Sequence, residues 1–160
     1  MLIKSLSAAA AVAALTFAPM APANAVTFTL PAGLACSFEL QIEQTGDRQV
    51  HKEFVAPDGT VRMLDAGKGS DLVFTNTDTG ATYSLAGNGA VRWERVDTAT
   101  GTSRLTVTGH TVVIYFPADN PAGPSTTLVV GRENIAVDQD GDFTRLSRTG
   151  RTVDICAALS

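Results

Sequence analysis

The chain has 160 residues, 12 of them basic and 16 acidic, a formal net charge of −4 and a hydrophobic fraction of 44%. That length suits one folded domain. The basic residues Arg48, Arg62, Arg92, Arg95, Arg104 and Arg132 stand singly, with no run of Lys or Arg to track a phosphate backbone, which argues against nucleic acid as a partner.

The N-terminus carries an export pattern. Lys4 is followed by an apolar stretch from Leu6 to Ala18 and then by Pro19 to Ala25, which ends in the small-x-small sequence that signal peptidase accepts. The apolar run is shorter than the roughly 20 residues a membrane-spanning helix needs. Residues 1–25 are therefore expected to be a cleaved signal peptide, and residues 26–160 a single secreted domain of 160 − 25 = 135 residues. No later segment of the mature chain is long and apolar enough to form a spanning helix. Without Lys4 the balance is 11 basic to 16 acidic residues, a net charge of −5.

Short alternating segments follow. Val26 to Leu30 alternates apolar residues with Thr, and Phe38, Leu40 and Ile42 alternate with Glu39, Gln41 and Glu43, the mark of half-buried strands. Gln49 to Val55, with His51 and Lys52 inside it, reads as an edge strand. Pro57-Asp58-Gly59 is a turn before a strand from Thr60 to Asp65, Gly67-Lys68-Gly69 a loop, and Leu72 to Thr75 a strand that turns back at Asp78-Thr79-Gly80 into Ala81 to Leu85. Gly87-Asn88-Gly89 reads as another tight turn, ahead of a strand from Ala90 to Asp97 in which Val91 and Trp93 share one face and Arg92 and Glu94 the other; Thr98 to Gly101 then turns.

The densest apolar stretch spans Leu105 to Phe116, broken at Gly109-His110. Val112, Val113, Ile114, Tyr115 and Phe116 leave neither face of an extended strand polar, so this strand must be covered on both sides. A stiff loop with Pro117, Pro121 and Pro124 leads to Thr126 to Val130, a bend at Gly131, and Ile135 to Val137. After the turn from Asp138 to Asp142, Phe143 to Ser147 and Arg151 to Leu159 complete the strands. Apolar residues never recur at helical spacing over three turns, and the connections are short. The expected class is all-β, an antiparallel barrel or barrel-like sandwich built from meander and hairpin connections.

Cys36 and Cys156 are the only cysteines, and export places them where a pair becomes a disulfide; two metal-bound thiols or one catalytic thiol would need nearby histidines that the sequence lacks. The bridge would close a loop of 156 − 36 = 120 residues and draw the two ends of the domain together.

Functional signals are sparse. Asp138, Asp140 and Asp142 flank Gly141 as in a calcium loop, but Phe143 and Thr149 stand where such a loop needs Gly and a bidentate Glu, and Asp and Gly are what a hairpin turn selects. His51 and His110 lie outside any nucleophile or zinc motif, so no cofactor is expected. Large aromatics in strands are more often core, and Tyr83, Trp93 and Tyr115 read so first; if a barrel interior is hollow they are the rings best suited to line a ligand pocket. The leading expectation is a non-catalytic extracellular or cell-surface binding protein for an unidentified ligand. One rival is an extracellular hydrolase pairing His110 with Asp119 or Glu133; another is an assembly protein that docks Val112 to Phe116 on a second subunit.

Leu34 to Glu39, Thr108 to Val112, Pro121 to Thr126 and Val153 to Leu159 resemble segments of small secreted proteins from actinobacteria. The resemblance implies an exported, disulfide-bearing domain and brings no activity and no catalytic residues.

Overall fold

In a computed structural model, residues 25–57, 59–95 and 100–160 are described. The expected signal peptide up to Asn24, Asp58 of the first proline turn, and Val96 to Ala99 lie outside them. Eight strands follow in order: β1 (Val26–Leu30), β2 (Leu40–Thr45), β3 (Arg48–Val55), β4 (Val61–Asn76), β5 (Thr82–Arg95), β6 (Ser103–Tyr115), β7 (Ser125–Val137) and β8 (Phe143–Asp154), then a one-turn helix α1 (Ile155–Ala158).

Every strand pair is antiparallel, and the sheet runs β1-β2-β4-β5-β6-β7-β8. Strand β3 pairs with the first half of β4 and β2 with the second half, so β2 and β3 lie end to end along one edge of β4. The topology is thus the expected meander, in an open path with β1 and β8 at its ends. No helix among the described residues is long and apolar enough to cross a membrane.

Several strands are longer than their sequence suggests, because the Gly-containing breaks are not turns. Gly67 pairs with Gly89, Gly89 with Gly109, Gly109 with Gly131 and Gly131 with Gly150, a row of glycines crossing five strands side by side. At Gly109, where φ is +89°, an added Cβ would strike the carbonyl oxygen of Asn88 on the next strand. Only glycine permits that backbone conformation together with that approach. The expected loop at Gly67-Lys68-Gly69 and turn at Gly87-Asn88-Gly89 are instead where β4 and β5 cross this row, with a bulge in β4 between Lys68 and Asp71.

The row is a crease. Phe143 pairs with Val137, and Val137 with Ser103, so in a flat sheet Phe143 and Tyr115 would stand 115 − 103 = 12 residues apart along the strands. That is about 40 Å at strand rise. Their rings meet edge-on with centroids 6.3 Å apart. The β6–β7 loop accordingly reaches the start of β8, where Asn120 bridges to Thr144.

Folding at the crease produces two cores. Pairing of β5 with β6 stops at Asn88 and His110; beyond it, Phe74, Tyr83 and Leu85 face Val112, Ile114, Leu128 and Val130 across a core shared with Leu40 and Ile42. On the other side of the folded-back β6–β7 hairpin, Val113, Tyr115 and Val129 pack on Leu105, Val107, Ile135 and Val137. The segment from Val112 to Tyr115 is therefore covered on both faces by its own chain, whereas Phe116, expected to be covered with it, follows the end of β6 and is exposed.

The chain ends differently from the expected strand through Leu159. Asp154 stops β8 by accepting the N–H of Ala157 at 3.0 Å, an N-cap that starts α1. Ile155 and Leu159, four residues apart, then point the same way and are both fully buried in the first core. Cys156 in this turn bonds to Cys36, with Cα atoms 5.5 Å apart. Beside the bridge, Thr126 donates to the Ala35 carbonyl at 3.0 Å and the Asn76 amide to the Leu159 carbonyl at 3.0 Å.

Candidate functional site

Where β5 and β6 part, the crease opens into a cleft of about 410 Å³. Leu72, Leu85, Val91 and Val112 give it an apolar part, and Gln44, Asp47, Gln49, Ser70, Asn88, His110 and Thr111 line the rest. The wall groups are set by local geometry. The Gln44 amide donates to the Ser70 hydroxyl at 2.7 Å, next to the β4 bulge, and the Thr111 hydroxyl donates to the Thr108 carbonyl at 3.3 Å. Asn88 and His110 are the last paired residues of β5 and β6, and both are exposed. The lining glycines, Gly69, Gly87 and Gly89, lack side chains that would fill the space.

The cleft therefore combines amides, hydroxyls, one imidazole and the Asp47 carboxylate, which already accepts the Gln49 N–H at 3.0 Å, with an aliphatic part. Such a surface hydrogen-bonds a neutral polar ligand in several directions.

The three aromatic candidates do not gather here. Tyr83 packs against the first core and Trp93 against the second, so the two rings serve different layers. Tyr115 is 1% exposed, and its hydroxyl donates to Glu133 at 2.6 Å. The folded sheet gives Tyr115 to its interior because the crease lays the second half of β6 over the first. Burial, and the hydrogen bond to the Glu133 carboxylate, push the Tyr115 phenol well above the ordinary tyrosine range.

The carboxylates proposed to work with His110 have other partners. Glu133 is fully buried and also accepts two N–H bonds from Arg148, at 2.9 and 3.0 Å. Asp119 is buried and accepts the backbone N–H groups of Phe116 and Phe143, which ties the proline loop to β8. His51, on the edge strand, bonds to Asp65 at 2.6 Å.

The acidic turn is also structural in its bonding. One oxygen of Asp138 accepts the N–H groups of Asp140 and Asp142 at 2.9 and 3.0 Å. Burial and the neighbouring charges of Asp138, Asp119 and Asp140 raise the Asp142 carboxyl above its usual range. Among the described residues, no three His, Cys, Asp or Glu side chains are placed to share a metal ion.

No protein family, curated protein or solved structure matches this chain.

Sequence reading missed the cleft because its lining is ordinary residue by residue. The one available signal was the recurrence of Gly at 67, 69, 87, 89, 109, 131 and 150, which reads locally as turns and only jointly as a crease.

Proposed function

We propose that the mature chain is an exported, non-catalytic binding domain whose ligand site is the cleft at the crease, taking a neutral saccharide or another polyhydroxylated molecule of similar size. The observation that carries this reading is that Gln44, Ser70, Asn88, His110 and Thr111 line one open space together with Leu72, Leu85 and Val112. A polyol offers many hydroxyls, each both donor and acceptor, and side-chain amides answer both roles. The bonding of Asp119 and Glu133 to other groups favours binding over hydrolysis, since a general acid or base must be within reach of its substrate. The disulfide agrees with an oxidising compartment outside the cytosol.

Titration calorimetry of the full-length domain against neutral mono- to tetrasaccharides tests the reading. A binding saccharide should lose affinity by at least about tenfold in Asn88→Ala or Gln44→Ala, the cost of a lost hydrogen bond or two. Absence of heat across the panel, or affinity unchanged in both variants, overturns it.

A further inference from the structure

The opposite face of the sheet brings together arginines that are far apart in sequence. Arg62 on β4 pairs with Glu94 on β5, and Glu94 with Arg104 on β6. In the rows beside them stand Arg92, paired with Thr106, and Arg132, paired with Thr108. Four neighbouring strands thus each present one arginine on one exposed face, a span of about 14 Å at the usual strand spacing. Against them, among the described residues, stands a single carboxylate. Glu94 accepts Arg62 at 2.8 Å and Arg92 at 2.7 Å. Burial pushes its carboxyl up, but the hydrogen bonds and charges of these two arginines outweigh it and hold the group ionised below the usual range. Arg104 and Arg132 are exposed and have no side-chain partner among the described residues.

A chain with formal charge −4 thereby carries a local excess of 4 − 1 = 3 positive charges. Between the arginines runs a shallow groove of about 350 Å³. Its floor is ordered: Thr106 donates to Asn134 at 3.0 Å, and Asn134 to Ser147 at 2.8 Å, one hydrogen-bonded line across β6, β7 and β8. Clustered like charges repel one another, and an anionic partner relieves the repulsion that Glu94 leaves.

We infer that this face binds an acidic polysaccharide, with the arginines on its carboxylate or sulfate groups and Thr106, Asn134 and Ser147 beside its hydroxyls. Guanidinium groups match the planar geometry of such acids and lose little hydration in meeting them. The occupant is a sugar polymer rather than single-stranded nucleic acid because the side chains between the arginines are hydroxyls, an amide and the aliphatic Leu146, which can meet the apolar face of a sugar ring, and include no aromatic ring. Base stacking needs aromatic platforms, and the exposed ring of Phe54, opposite Arg62, lies outside the groove's lining.

Affinity electrophoresis of the full-length domain through gels containing polygalacturonate, dextran sulfate or neutral dextran tests the assignment, with oligothymidylate in a parallel titration. Retardation is expected with one or both acid polymers, naming the acid recognised, and none with dextran; it should weaken strongly between 50 and 300 mM salt, roughly as charge screening dictates. Arg104→Glu with Arg132→Glu should lower affinity at least about tenfold without lowering the melting temperature, while Arg48→Glu, opposite Lys68 and 68 − 62 = 6 residues along β4 from Arg62, changes it less than about twofold. Asn88→Ala, in the cleft, should leave this binding intact, so the two sites fail separately. The assignment is overturned if neither acid polymer binds, if the double reversal binds like the parent, or if oligothymidylate binds at least as tightly.

Discussion

Tyr115 and Glu133 share a hydrogen bond of 2.6 Å although the strand register places them eight residues apart, Glu133 being paired with Val107. In a flat sheet that offset is about 26 Å. The bond therefore exists only because β6 and β7 fold over at Gly109 and Gly131, and it crosses the inside of that fold. Arg148 completes the group on the third strand.

Removing the hydroxyl alone, Tyr115→Phe, should cost about 1.5–3 kcal/mol of unfolding free energy, the range for a hydrogen bond to a charged group. Glu133→Ala should cost more, about 3–5 kcal/mol, since it leaves Arg148 and the phenol without their shared acceptor. Urea denaturation gives both values, and a Tyr115→Phe effect near zero would contradict the packing described.

The same pair sets an alkaline limit. In the folded chain the Tyr115 phenol titrates well above the ordinary value near 10, the value it recovers on unfolding. Above pH 10 the unfolded state therefore releases a proton that the folded state keeps, and stability falls as pH rises, with the full contribution present below pH 10. The fall should be shallower in Tyr115→Phe, measured by denaturation midpoints from pH 8 to 11.

The crease predicts a contrast between glycines. Gly80, at φ +75°, has open space where a Cβ would go, whereas Gly109, at φ +89°, faces the Asn88 carbonyl and the backbone of Gly89. Gly80→Ala should cost about 1–2 kcal/mol from backbone conformation alone. Gly109→Ala should cost more, by at least about 2 kcal/mol, because the two strands must separate. Equal effects would mean that Gly109 is only a turn.

Opening the bridge between Cys36 and Cys156 frees a loop of 120 residues. Chain entropy assigns such a loop about 5 kcal/mol. Replacing both cysteines by Ser should lower the urea midpoint accordingly, and a midpoint within error of the parent would show the ends held without it.

Asp138 and Asp142 should respond in opposite directions. Asp138→Ala removes the acceptor of two turn N–H groups and should cost about 1–2 kcal/mol. Asp142, whose carboxyl is raised by burial and by its acidic neighbours, resists ionising in the folded state. Asp142→Asn should therefore raise the melting temperature at pH 7, and the gain should vanish below about pH 3, where the parent is protonated in both states. Calcium at millimolar concentration should shift neither protein; a rise for the parent alone would show that the turn takes the ion.

The amino-acid sequence by itself determined the all-β class, the antiparallel meander and the two-sided burial of Val112 to Tyr115, though not the exposure of Phe116 beside them, because alternation and β-branching are properties of consecutive residues. It also pointed to the pairing of Cys36 with Cys156, as the only two cysteines of a chain carrying an export pattern. Tertiary structure alone decided what the glycines do. A turn and a crease demand the same residue locally, and only the register, which aligns Gly67, Gly89, Gly109, Gly131 and Gly150 across strands, tells them apart. The same register decided the two surfaces proposed for binding. Arg62, Arg92, Arg104 and Arg132 are isolated in sequence and become neighbours because antiparallel strands lie side by side. Tyr115 was legible as a core ring from its place in a strand apolar on both faces, but what covers it was not, since that cover comes from a part of the sheet that reaches it only by folding over.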